Sequence, residues 1–119
     1  MKKLAFLFLI ALFAACSDDD KTEPCTTEFV AGLRVDVLFG VTPVGEGITV
    51  TATDGDYIEE LVYTETTFEY EGAYERPGTY TITVTGDGYQ PYVSEPITVT
   101  EDACHVQTQE VSISLAPEE

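Results

Sequence analysis

The residues of this chain that could do chemistry are few: three cysteines, one histidine, a surplus of carboxylates and seven tyrosines without a tryptophan. His105 is the sole imidazole, and a nucleophilic triad needs a hydroxyl or thiol, a base and an orienting group in contact. The serines Ser17, Ser94, Ser112 and Ser114 lie in no nucleophile-elbow pattern. Ser112 and Ser114 fall on the outward positions of a final strand, and His105 reads as a surface or strand-start residue. Carboxylates are plentiful at turns. Asp54, Asp56, Glu59 and Glu60 share one loop and Asp87 sits in another. Asp54, Asp56 and Asp87 are therefore the candidates for a calcium site, since calcium takes several converging oxygens. The competing reading is that aspartate in a glycine turn is turn chemistry, and it is the one favoured. No cofactor is otherwise expected: no Cys/His spacing suggests zinc, and no glycine-rich loop precedes a helix. Tyr57, Tyr89 and Tyr92 lie near turns. Exposed, they would stack on a sugar or anchor a protein partner; otherwise they cap the ends of the domain.

The cysteines are best read from the start of the chain. Lys2 and Lys3 precede an uncharged apolar run, Leu4–Ala15, that is too short to span a bilayer. A basic start, a short apolar core and small residues before a cut site make a secretory signal, residues 1–15. Leu12-Phe13-Ala14-Ala15-Cys16 resembles the lipobox of bacterial lipoproteins, with Phe13 where that motif usually has leucine. The alternative is an ordinary signal peptide cut after Ser17. The lipobox reading makes Cys16 the lipidated first residue of the mature chain. Parity agrees with it: with Cys16 on lipid, Cys25 and Cys104 remain to pair, as an oxidising compartment favours. Such a bridge closes a loop of about 80 residues and would contribute roughly 4 kcal/mol on chain-entropy grounds.

Ser17-Asp18-Asp19-Asp20 follows Cys16 and resembles the acidic surface-export signal of some Gram-negative lipoproteins; otherwise it is a solvated tether. Residues 16–24 are expected to be a flexible linker either way, which leaves 25–119 as one domain. The expected location is the outer membrane, lipid-anchored and exposed at the cell surface. The chain has 22 acidic against 5 basic residues and a net charge of −17. Without Lys2 and Lys3 the bases are Lys21, Arg34 and Arg76, so the mature charge is −19. That excludes a nucleic-acid partner and disfavours docking on anionic lipid. The membrane is then held through the lipid on Cys16.

From Phe29 onward the hydrophobic period is two. Leu33–Phe39, Ile48–Thr53, Thr79–Thr85, Ile97–Thr100 and Val111–Leu115 alternate apolar with polar, often threonine. Phe39, Phe68 and Tyr70 are expected to face the core, and Leu61-Val62-Tyr63 to form an edge strand. Glycine and proline turns separate these runs: Pro43-Val44-Gly45, Asp54-Gly55-Asp56, Arg76-Pro77-Gly78 and Gly86-Asp87-Gly88. The pattern gives an all-β fold, a two-sheet antiparallel β-sandwich of about seven strands, prealbumin-like or Ig-like.

Gly40-Val41-Thr42-Pro43-Val44-Gly45-Glu46-Gly47-Ile48-Thr49-Val50 resembles the opening of carboxypeptidase regulatory-like domains. Arg76-Pro77-Gly78-Thr79-Tyr80-Thr81-Ile82-Thr83-Val84 and then Gly88-Tyr89 are similar to later motifs of that family, and the resemblance covers residues 29–115. It implies a transthyretin-like (prealbumin-like) sandwich with an accessory, non-catalytic role. The related hydroxyisourate hydrolases use several histidines, an arginine and a C-terminal Tyr-Arg-Gly-Ser; this chain ends Ala116-Pro117-Glu118-Glu119, so that activity does not carry over. The expected function is a non-catalytic surface module with a structural or interaction role, contacting an envelope protein or a glycan. The alternative is a small binding protein for a glycan or calcium, working through loops at one end of the sandwich.

Overall fold

The structure is a computed structural model and describes residues 25–118. The signal segment 1–15, the lipid site Cys16, the tether 16–24 and Glu119 lie outside the described residues.

All regular structure among the described residues is β. The strands are β1 (Leu33–Phe39), β2 (Thr42–Pro43), β3 (Ile48–Asp54), β4 (Tyr57–Glu60), β5 (Val62–Thr64), β6 (Glu69–Gly72), β7 (Gly78–Gly86), β8 (Tyr92–Val93), β9 (Ile97–Val99) and β10 (Gln109–Ser114). They form two sheets packed as a sandwich. One has the order β10-β1-β6-β5, with β2 on β1. The other has the order β4-β3-β7-β8, with β9 also on β7. Ladders are antiparallel except β1 with β10, which is parallel from Leu33↔Gln109 to Leu38↔Ser114. The count exceeds the expected seven because edge strands are broken into pieces. β8 and β9 are one edge interrupted at Ser94–Pro96. There the Ser94 amide and hydroxyl bond the carbonyl and amide of Ile82, at 2.8 and 2.9 Å, in place of a ladder.

The period-two runs explain the core. Leu33, Val35 and Val37 of β1 meet Val50 and Ala52 of β3, Tyr80, Ile82 and Val84 of β7, Val99 of β9 and Ile113 of β10. Each is an alternate residue of its strand, so pleating turns all of them to one face. Burying a side chain of this size contributes roughly 1.5–3 kcal/mol. The intervening threonines (Thr51, Thr53, Thr81 and Thr83) sit half-buried on the outer face, where β-branched residues suit an extended backbone.

Three expectations are corrected by turn geometry. Phe68 is 56% exposed, because the β5–β6 turn puts it at φ +60°, and that turns its side chain out while Tyr70 stays buried. Its amide closes the turn on the Thr64 carbonyl at 2.8 Å. Phe39 ends β1 beyond the core and packs edge-on against Tyr89, centroids 5.3 Å apart. Glu59 and Glu60 lie not in a loop but in β4, because Gly55, at φ +62°, turns β3 directly into β4 with Asp54 opposite Tyr57. The expected edge strand near Leu61 is β5, paired only with β6.

Candidate functional site

The strands define two ends. β3 pairs with β7 so that Thr53 meets Thr81 at one end and Ile48 meets Gly86 at the other. The first end also carries Cys25, the β6–β7 loop and the β9–β10 loop.

Cys25 and Cys104 form a disulfide with Cα atoms 5.3 Å apart, joining residues 79 positions apart. The turn carrying Cys104 is held by Asp102, whose Oδ1 accepts from the amides of Cys104 (2.8 Å) and His105 (2.9 Å). Those two bonds hold the Asp102 carboxyl below the usual aspartate value, the His105 amide contributing most. One residue along on each strand of this crosslink, the Thr26 hydroxyl lies 2.8 Å from His105 Nε2. His105 Nδ1 lies 2.7 Å from Glu75 Oε2, and against a carboxylate that nitrogen is the donor. With the ring proton on Nδ1 alone, Nε2 accepts from the Thr26 hydroxyl.

Glu75 is the hub. Besides His105 it accepts from the amides of Val30 (2.9 Å) and Val106 (3.3 Å), so one carboxylate joins three segments. The Val30 amide is the largest influence holding its carboxyl below the ordinary value. Glu75 sits at φ +52° and Ala73 at φ +54°, in a region that costs a residue with a β-carbon about 1 kcal/mol or more. Bonds across the loop offset this. The Ala73 carbonyl accepts from Gly32 at 3.1 Å, the Val30 carbonyl from Glu75 at 2.9 Å, and Glu59 Oε1 from the Ala73 amide at 3.0 Å.

The next residue builds a second cluster. Arg76 Nη1 reaches Asp54 Oδ2 and the Tyr80 hydroxyl, each at 3.0 Å, and its guanidinium lies 3.7 Å over the Tyr57 ring. The Tyr80 hydroxyl donates to the Arg76 carbonyl at 2.7 Å. The Tyr57 hydroxyl donates to Glu59 at 2.6 Å, and that bond is the main reason its pKa is pushed up to about 12.

Hydroxyl, imidazole and carboxylate thus stand in the order of an acyl-transfer triad, through Thr26 rather than a serine. A triad also needs a substrate groove and donors for an oxyanion. Two grooves among the described residues, one around Asp87 and Tyr89 and one around Tyr63 and Tyr70, are lined by other residues. The disulfide beside it already brings these two segments together, so the Thr26–His105 bond reads as a second crosslink of one seam.

The sequence candidates are dispersed. Asp54 is ion-paired with Arg76, and Asp56 is in the neighbouring turn; Asp87 is at the opposite end of β7, so the three do not converge. Among the described residues no group of three His, Cys, Asp or Glu side chains is placed to hold a metal ion. Tyr57 is under Arg76, and Tyr92 lies opposite Val84 with its ring against the core. Asp87 and Tyr89 do come together, in an open groove of about 630 Å³ at the far end, with Ile48, Thr49, Pro91 and Glu118. Residues 116–118 close one side, the Gln90 and Glu118 amides bonding to Ala116 and Gly88 at 2.9 and 3.0 Å. Sequence reasoning missed Thr26 and Glu75, and placed Glu59 in a loop and Arg76 in a turn without their partners. Glu75 and Arg76 precede Pro77-Gly78 and read as turn residues, and their partners lie 30 and 22 positions away.

No protein-family profile matches the chain, and comparison with curated proteins finds no match.

Proposed function

We propose that this protein is a lipid-anchored, non-catalytic module of the bacterial envelope, carried through Cys16 on an acidic tether and exposed to partners at the cell surface. The observation that carries the reading is the cysteine arithmetic. Of three cysteines, Cys25 and Cys104 are joined to each other, and the one remaining follows a lipobox-like Ala14-Ala15. The sandwich also supports the resemblance to carboxypeptidase regulatory-like domains, an accessory fold, though fold alone assigns no chemistry. His105 serves the seam between Thr26 and Glu75, in keeping with a non-catalytic role. Metabolic labelling with an alkyne fatty acid, followed by protease shaving of intact cells, tests the reading. It requires a labelled band that the protease removes; an unlabelled or protected band refutes it.

A second reading, a glycan-binding module, is favoured by the far groove, where the Tyr89 ring and the Asp87 carboxylate offer stacking and hydrogen bonding together. A glycan array probed with the protein and with Tyr89→Ala decides it: binding lost in the variant supports it, and silence removes it.

A further inference from the structure

Among the described residues four edges bound the two sheets, and three of them are blunted. β5 has three residues and β4 has four. The β8–β9 edge is broken at Ser94–Pro96, with Pro91 just before it. β10 is different: six residues, Gln109-Glu110-Val111-Ser112-Ile113-Ser114, without proline, lysine or interruption. Proteins normally shield a long edge by the devices the other three show, because an open edge is a template for another strand.

The orientation of β10 is fixed by its inner bonds. The Gln109 amide donates to Gly32 and the Leu115 amide to Leu38, both at 2.8 Å. In this parallel ladder the odd residues bond to β1, so the N–H and C=O groups of Glu110, Ser112 and Ser114 face away from it. Their side chains are exposed on the outer face, while Ile113 is buried and Val111 packs against the core. That outer face is acidic. Asp36 of β1, Glu69 and Glu71 of β6 and Glu110 itself surround Arg34, which pairs with Glu71 at 3.5 Å and Glu110 at 3.9 Å. One cation among four carboxylates leaves the face negative. Accordingly the Glu69 carboxyl is raised, first by burial and then by Glu110.

We propose that β10 takes up an extended segment of a partner protein, with basic residues alternating with apolar ones, as an added strand. Main-chain bonds to Glu110, Ser112 and Ser114 hold it. Its basic side chains lie over the acidic face, and its apolar ones continue the Val111 and Ile113 side. Charge selects this occupant over the two nearest competitors, the acidic tether Asp18-Asp19-Asp20 and a second copy of a chain of net charge −17. The proposal rests on the interaction-module reading, and names the partner class for it.

The test uses the full chain in detergent micelles and a fluorescein-labelled octapeptide of alternating lysine and valine, read by anisotropy. Ser112→Pro removes an outward amide, along with the exposed hydroxyl bond that Ser112 donates to Asp36 at 3.0 Å, at an edge position where proline is tolerated. The wild type is expected to bind, more weakly as salt rises. Ser112→Pro is expected to bind at least about tenfold more weakly with an unshifted thermal midpoint. The glutamate–valine octapeptide is expected not to bind. Amide exchange gives a readout independent of the variant, with Glu110, Ser112 and Ser114 slowing only when the lysine peptide is present. Equal binding by Ser112→Pro, equal binding of the acidic peptide, or protection of these amides in the free protein would each overturn the proposal. The last would mean that the tether or a second copy already holds the edge. Failure here leaves lipid labelling and surface exposure untouched, and failure of those leaves peptide binding untouched.

Discussion

The two ends of the sandwich are built on opposite principles. At the Cys25 end a disulfide, the Asp102 turn, the Thr26–His105–Glu75 chain and the Arg76 cluster tie loops from both sheets to the start of the domain. At the far end the described residues form no disulfide and no salt bridge, and the Asp87–Tyr89 groove faces solvent. On the proposed anchored reading, any pull would enter the domain at Cys25, the end where the crosslinks gather. The difference also assigns roles to residues of the same type. Asp102 and Asp54 are committed to internal bonds, while Asp87 is exposed.

The largest test of this contrast removes the covalent tie. Cys25→Ser/Cys104→Ser is expected to lose about 2–5 kcal/mol of unfolding free energy, measured by denaturant titration. A loss under about 1 kcal/mol would mean that the polar seam alone holds the end. Next is Gly32→Ala. A β-carbon there would lie 2.7 Å from the Ala73 carbonyl oxygen, in a loop already fixed by several bonds. The expected cost is about 1–3 kcal/mol in the same titration. At the far end the space around Gly40 is open, so the steric part of that cost has no counterpart there.

The acid response sharpens the contrast further. Glu75 has its carboxyl lowered by the Val30 amide first and by His105, so the folded value lies below the ordinary 4.5. A lowered folded value stabilises above the unfolded one and is lost as pH falls through the folded one. The thermal midpoint of Glu75→Gln should therefore lie below wild type at neutral pH, with the gap closing below pH 4.5. A gap independent of pH would remove the ionised carboxylate from the account. The smallest effect belongs to the far end. Phe68→Asn places at φ +60° a residue that tolerates it, and should stabilise by about 0.5 kcal/mol or remain neutral.

Much of the sandwich was legible because its signal is local. Alternation in Leu33–Val37, Thr79–Val84 and Val111–Leu115 assigns faces residue by residue, and the structure buries those residues accordingly. The Cys25–Cys104 pairing followed from parity. What was not legible depends on non-local or single-torsion events. Phe68 left the core through one positive φ, and Glu59 entered a strand because Gly55 allowed an immediate hairpin. The parallel β1–β10 ladder follows from a crossover between sheets that no local pattern records. Glu75 and Arg76 gained their roles from partners on other elements, so nothing in Glu75-Arg76-Pro77-Gly78 distinguished them from turn residues. The open β10 edge was half-visible, since Ser112 and Ser114 were assigned outward, but that the strand ends a sheet is a fact of topology.

On the proposed reading Cys16 holds the protein on the membrane while the domain folds independently of it. Fractionating cells that express Cys16→Ala tests this directly. The variant should leave the membrane fraction with its Cys25–Cys104 bridge formed and its thermal midpoint unchanged. A Cys16→Ala protein that stays with the membrane would contradict the account.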